Sequence, residues 1–403
     1  MEIKTVRLGD IAEIKTGPFG SALHNSDYVS NGIPIITVEH IGDLGIVHSP
    51  DVPRVNADDY ERLSAYRLKT GDIVFSRVGA VDRTAIVRDI EDGWLFSGRL
   101  LRVRPNANAV DADFLNVYFS QPRFRKHMYA IANGSTMPSI NTKILASVEI
   151  ELPSMQSQKV IAWLFRQIDE KQIVNQQINN NLLKITDDMF NRVYLGNELV
   201  KNSGKVKLSS IIRTKSGTFN PKKTSEVFVN HFSMPAFDAA RFPVVNAASG
   251  IKSNKNIVEP FSILVSKMNP DVKRVWLPNT SKKLLNVAST EFLTFNADAP
   301  EMQAFVYAVV NDKRYQKYLE SNTTGSTNSR QRVLPKVAYS YEIPYVKEAA
   351  QQFGFQIVDI IDMIKLNKEQ NQHLIRLRNI LLPKLLAGDI DLSNIETVMN
   401  NNA

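Results

Sequence analysis

The chain has 403 residues, 43% hydrophobic and 22% charged, with a net charge of +8 and no cysteine. That length provides for two or three domains with sizeable cores, and the missing cysteines exclude disulfides, thiolate metal sites and thiol nucleophiles. No apolar run approaches the roughly 18–20 residues of a membrane span and no signal peptide opens the chain, so it reads as soluble, cytoplasmic and without a membrane partner.

Charge is unevenly spread: residues 1–200 carry 22 Lys/Arg against 24 Asp/Glu, whereas residues 201–403 carry 27 against 17. The basic half points to a polyanionic partner, because each cation that neutralises a phosphate releases condensed counterions. Any nucleic-acid contact in the first half needs locally concentrated cations.

A first unit, residues 1–153, mixes short strands and helices. Gly32–Val38, Asp72–Ser76 and Arg99–Arg104 are β-rich runs between turn signals, and Ala112–Ile131 reads as a helix kinked or divided by Pro122. Phe114, Tyr118 and Met128 are its buried candidates. Residues 154–196 form a first long helix, rich in Gln and Asn, with Ile161, Leu164, Ile168, Leu182, Met189 and Val193 at three-to-four spacing. After a linker at 197–205, a second unit spans 206–344, with Phe261–Ser266 as its strand and Pro300–Ser321 as its helix. A second long helix, 345–388, carries Ile360, Ile364, Leu374, Leu377, Leu381 and Leu385, and Pro383 bends its last turn. A polar tail occupies 389–403. Gly196 and Gly388 are placed for left-handed C-terminal caps. About forty helical residues at 1.5 Å each give a rod of roughly 60 Å.

The two units are copies. Val6-Arg-Leu-Gly-Asp-Ile-Ala-Glu-Ile-Lys-Thr-Gly17 returns as Val206-Lys-Leu-Ser-Ser-Ile-Ile-Arg-Thr-Lys-Ser-Gly217. Val74-Phe-Ser-Arg77 returns as Leu264-Val-Ser-Lys267, Arg123–Lys126 as Arg314–Lys317, Gly134-Ser-Thr136 as Gly325-Ser-Thr327, and Pro153 as Pro344. The offset, roughly 190–200 residues, is far beyond a solenoid period of roughly 20–50. Asn175, Asn179 and Leu182 take the same relative positions as Asn367, Asn371 and Leu374. These define a helix–helix seam: Ile168, Asn175, Asn179, Leu182 and Met189 against Ile360, Asn367, Asn371, Leu374 and Leu381, where asparagine fixes register at some cost in stability.

Catalytic signatures are missing. There is no GxxxxGK[ST] or GxGxxG loop, and none of the six histidines pairs at HExxH spacing. Glu13-Ile-Lys15 has no separate acidic strand to complete a nuclease site. Asn269-Pro-Asp271 lacks the second proline and the stacking aromatic of an adenine-holding loop, and reads as a turn.

The ordered duplication resembles the specificity subunits of type I restriction–modification systems. The resemblance is carried by Leu8-Gly-Asp-Ile11 with Thr16-Gly17, Leu208-Ser-Ser-Ile211 with Ser216-Gly217, Gly71–Arg77, Gly134–Asn141, Gly325–Val333 and the helices after Pro153 and Pro344. Ser209-Ser210 and Ile343-Pro-Tyr345 depart from the usual pattern. The family implies an α/β (α+β) fold of two target-recognition domains in tandem, joined by two long helices in an antiparallel coiled coil with pseudo-twofold symmetry. It implies that each domain reads one half of a split double-stranded DNA target. Two modification subunits and restriction subunits would dock on the chain, with S-adenosylmethionine, ATP and Mg bound on those partners, leaving this chain without cofactor, metal or catalytic residue.

The residue chemistry suits that role, since DNA reading needs phosphate contacts for placement and base-edge contacts for sequence. Thr16, Gly17, Gly134, Ser135, Thr136, Ser216, Gly217, Gly325, Ser326 and Thr327 form small loops that admit phosphate. Arg77, Lys143, Lys222, Lys223, Lys267, Lys273, Arg274, Arg330 and Arg332 are the candidate cations. Arg123, Lys126, Arg314 and Lys317, on helices, read as structural or solvated. A stand-alone sequence-specific DNA-binding regulator is the alternative, followed by a structural adaptor and a self-contained methyltransferase.

Overall fold

The computed structural model describes residues 3–20, 22–134, 136–280, 283–324 and 331–401. The chain divides into two compact units, Met1–Ile173 with His373–Ala403, and Val174–Gln372. Each long helix, Met155–Met189 and Lys347–Ala387, contributes one part to each unit.

In the first unit the opening strand Ile3–Arg7 pairs antiparallel with Glu149–Pro153, Ile3 opposite Pro153. This clasp brings both ends of the domain to the root of the first long helix. One antiparallel sheet is ordered Ala12–Thr16, Leu100–Pro105, Ile73–Ser76, Thr84–Ile86; a second runs Leu95–Phe96, Ile33–Ile36, Arg54–Val55, Tyr28–Val29, with its first pair parallel. Pro122 does divide the helical stretch, into Ala112–Phe119 and Pro122–Ile131. Phe75, Phe114, Phe119 and Phe124 pack with Ile161, Ala162 and Phe165 of the first long helix and Leu382, Leu385 and Leu386 of the second. Arg378 ties these layers together, donating to Asp169 at 2.7 Å and to Ser120 Oγ at 3.0 Å. Burial pushes the Asp169 carboxyl above its ordinary value despite that partner.

The expected polar tail is a correction. Residues 393–401 form the helix Ser393–Asn401, and Ile390, Leu392 and Ile395 pack against the same core. Those few apolar positions were hidden by a run of Asn, Asp and Ser.

The second unit repeats the plan. Lys205–Lys207 pairs with Glu342–Pro344 as its clasp, and Tyr194 donates its hydroxyl to the Pro344 carbonyl at 2.9 Å. A three-stranded sheet is ordered Val275–Trp276, Ser262–Ser266, Phe292–Asn296. A five-stranded sheet runs Thr218–Phe219, Lys255–Ile257, Leu285–Ala288, Phe228–Phe232, Val244–Ala247, and its Leu285–Ala288 and Phe228–Phe232 pair is parallel, as in the first unit. The stretch 300–321 is two helices, Pro300–Asn311 and Lys313–Ser321. They break at Asp312, whose carboxylate accepts the Arg314 N–H at 2.7 Å and so caps the second. The linker holds a short helix, Glu198–Lys201, with Val200 buried.

The first long helix ends differently from expectation. It relaxes into a π-helical turn, Phe190–Tyr194, that lays the two rings parallel with centroids 5.5 Å apart, in a core with Phe305 and Phe353. The turn ends the helix without a left-handed residue at Gly196, whereas Gly388 does adopt φ 78°. Gly354, inside the second long helix, would cost about 1 kcal/mol relative to alanine. It is explained by the Glu301 carbonyl, which a Cβ there would overlap.

Within the second unit the two helices run antiparallel across a polar layer. Asn175 donates to Asn371 Oδ1 at 2.8 Å and Asn367 donates to Asn179 Oδ1 at 2.9 Å. Asn175, Asn179 and Asn367 are buried. The apolar stripe is rotated from the expected one. Ile357, Ile361, Ile364, Leu382, Leu385 and Leu386 are buried, Ile360, Leu374 and Leu381 are half-buried flanks, and Val193 and Leu377 are exposed. Ile168 is buried, and Leu182 and Met189 are half-buried. Each helix serves a partner helix and a domain core together, so its buried face is not the narrow seam of a two-stranded coil.

Asn179→Ala leaves the buried Asn367 amide without its acceptor and is expected to cost about 1–3 kcal/mol. Replacing Asn179 and Asn367 together by leucine should come within about 1 kcal/mol of the parent or exceed it. Denaturant midpoints of the full chain check both values.

Candidate nucleic-acid interface

Two hairpins, one per unit, are built alike. In the first, Asn133 and Ser139 exchange both backbone hydrogen bonds, at 2.9 and 2.8 Å, and Gly134 and Thr136–Pro138 are the described residues of its tip. Gly134 has φ 90°, a conformation that favours glycine. The hairpin is tied to the segment leaving strand Ile73–Ser76: Gly79 N–H donates to the Pro138 carbonyl at 2.8 Å, and Ile140 N–H to the Arg77 carbonyl at 2.9 Å. Thr136 and Met137 are exposed on the tip, and Lys143 is exposed on the helix Thr142–Ala146 that follows. Asn141 caps that helix by accepting the Ile144 N–H at 2.9 Å.

The second unit reproduces these bonds. Thr324 and Arg332 exchange theirs at 2.8 and 3.0 Å, Val333 N–H donates to the Lys267 carbonyl at 2.9 Å, and Asn269 N–H to the Gln331 carbonyl at 2.9 Å. Asn269, at φ 46°, makes the turn expected of Asn269-Pro-Asp271. Arg77 and Lys267 therefore stand at matched strand ends, each beside its hairpin. Ser135, Gly325, Ser326, Thr327 and Arg330 lie outside the described residues.

The other candidates are distributed unequally. Thr16 pairs with Leu101 in the first sheet, and Gly17 is buried where a Cβ would overlap the Ser97 carbonyl. Ser216 donates to Thr294 Oγ1 at 2.8 Å and accepts from Asn296 at 3.0 Å, while Gly217 is exposed. Lys222 and Lys223 are exposed on a turn shaped by Asn220. Lys273 donates to the Asn311 carbonyl, Arg274 makes a two-point pair with Asp238 at 2.7 and 3.1 Å, and Arg332 pairs with Glu291 at 3.2 Å. Those three cations are committed to the domain framework. Arg123 and Arg314 are paired with Glu151 and Asp312.

Sequence reasoning missed Phe19. Its ring is 55% exposed, and the Arg77 guanidinium lies over it, 4.9 Å from the centroid. The available signal was the repeat of Thr-Gly-Pro-Phe19 as Ser-Gly-Thr-Phe219, but Phe219 is buried, so the motif alone does not separate the two roles. Among the described residues no group of three or more His, Asp or Glu side chains converges as a metal site, and no helix is long and apolar enough to cross a membrane.

Residues 1–184 match the family described as the type I restriction modification DNA specificity domain. The MjaIX specificity subunit of Methanocaldococcus jannaschii is 21% identical over an alignment covering 95% of this chain and 92% of that protein. The matched domain therefore occupies residues 1–184, and similarity to type I specificity subunits extends over most of the chain. The MjaVIII specificity subunit of the same organism is 23% identical across 49% of this chain, a match spanning about half that relative's length, 47%. In fold, the chain is similar to the S subunit of a type I system from M. genitalium, with a TM-score of 0.56, 16% identity and coverage of 95% and 96% of the two chains. The tandem fold expected from the resemblance is thus found, and the specificity domain is matched over residues 1–184.

Gly17→Ala forces a methyl group onto the Ser97 carbonyl, a backbone atom with little freedom to move. It should lower stability by roughly 1–3 kcal/mol. Gly217→Ala meets only the flexible end of Ile257 and should cost less than about 1 kcal/mol. Thermal midpoints followed by circular dichroism compare the two.

Proposed function

We propose that this chain is the non-catalytic DNA-reading subunit of a type I restriction–modification complex, each unit reading one half of a split target. The observation that carries the reading is the repeated bonding of Asn133 with Ser139 beside Arg77 and of Thr324 with Arg332 beside Lys267, the first copy lying within the matched residues 1–184. Thr136, Lys143, Lys222 and Lys223 are exposed and free to meet phosphate, which supplies affinity without sequence information. The long helices would dock two modification subunits and, through them, restriction subunits. S-adenosylmethionine, ATP and Mg would be bound on those partners, adenine N6 methylation and DNA cleavage would take place there, and the assembly would be cytoplasmic.

A stand-alone regulator would bind its operator alone, whereas this reading requires an assembled complex. Co-purification of a modification subunit with the chain from its own host is the expected result, and a monomeric chain that represses transcription would overturn it. The helices are proposed to set the gap between half-sites. Adding one turn, about 5.4 Å, to both should change the gap by about one or two base pairs at roughly 3.4 Å per step. Methylated-motif sequencing reads this directly: the bases of both half-sites stay and the unread gap shifts.

A further inference from the structure

Several arginines of the first unit are spoken for. Arg62, Arg67, Arg88, Arg102, Arg104 and Arg166 each face a carboxylate. Among the described residues Arg77 and Arg125 have no such partner, and of the two only Arg77 lies over an aromatic ring: its guanidinium meets the Gly98 carbonyl, 3.3 Å from Nη1, and the Phe19 ring. It is half-buried, and its Nε is buried with no hydrogen-bond partner. Holding a cation partly out of water without a counter-charge is costly.

The backbone beneath it is pinned on both sides. Arg77 N–H donates to the Arg99 carbonyl at 2.9 Å, and the Arg77 carbonyl accepts from Ile140 at 2.9 Å. Gly17 and Gly98 bring the opening segment against residues 97–98 so closely that a Cβ at either position would overlap backbone. That approach fixes Phe19 under the guanidinium. A guanidinium braced on an aromatic ring has little freedom to swing, and its planar fork suits two acceptors at fixed spacing. Guanine O6 and N7 provide that pair in the major groove. A phosphate asks mainly for charge, which the exposed Arg83, Arg99 and Lys143 already supply.

We propose that Arg77 reads a guanine in the half-site of the first unit, and that Phe19 is the positioning residue that aims it. The inference rests on the DNA-reading function above and names one contact within it. The second unit lacks the device: Lys267 replaces the arginine, and Phe219 is buried at 3% exposure.

The test co-expresses the full chain with the modification subunit that co-purifies with it, in a host free of adenine methylation, then maps methylated motifs genome-wide. The parent is expected to show a split motif with a guanine in the first unit's half-site, assigned as the half whose preference changes when Arg77 is substituted. Arg77→Lys, which keeps charge and loses the fork, should relax discrimination at that single position by at least about fivefold. Phe19→Ala should relax the same position, Phe19→Tyr should restore it, and the unchanged second half-site reports a folded, assembled complex. A uniform loss of methylation with the motif intact in Arg77→Lys and Arg77→Ala would mean a phosphate contact and overturn the proposal, as would a position preferring a base other than guanine. A parent complex that methylates no split motif would overturn the functional reading itself, a distinguishable result.

Discussion

The structure depends first on the clasp that closes each domain. Ile3–Arg7 against Glu149–Pro153, and Lys205–Lys207 against Glu342–Pro344, bring the start and finish of a long excursion of chain to one place at the root of a helix. A domain closed this way can be added to a helix, or duplicated, without disturbing the helix's own hydrogen bonds. It also directs burial: Ile161, Ala162 and Phe165 in one unit and Phe353, Gly354 and Ile357 in the other press against the domain they follow. Thr136 and Met137 of the first hairpin are left to face solvent.

Because that frame is held by main-chain hydrogen bonds, its side chains are free to diverge. Asp72 is buried and bound at two points by Arg104, both at 2.7 Å; the matching positions of the second unit hold Ser262 and Asn296, joined at 2.6 Å. An ion pair in one copy is a neutral hydrogen bond in the other, on the same pair of strands. Arg77 over Phe19 and Lys267 above a buried Phe219 differ in the same way. Two copies of one backbone that carry different chemistry are what reading two different half-sites requires, since phosphate contacts position the protein and only base contacts specify sequence.

Much of this was legible in the residues. The ordered repeat located both strand ends and the loop at Gly134, and Pro122 marked a true helix break. The asparagines at repeated spacing do pair across two helices, because a buried amide needs a partner and an equivalent amide supplies one. What was not legible depends on neighbours distant in sequence. Phe19 and Phe219 sit in the same motif, and only the packing around each decides which is exposed. The helix break at Asp312 comes from a capping carboxylate with no proline to announce it. The Ser393–Asn401 helix is anchored by Ile395 and by Ile390 and Leu392 just before it, apolar residues that composition concealed. The helix stripe was drawn for one partner, whereas the helices bury a face against two.

Hydroxyl-radical footprinting of the assembled complex on its own methylated motif tests the central claim most directly. Two protected stretches separated by an unprotected gap are predicted, and replacing Gly134–Pro138 by a two-residue turn should erase one stretch and spare the other. A single continuous footprint, or one unchanged by that replacement, would contradict the account.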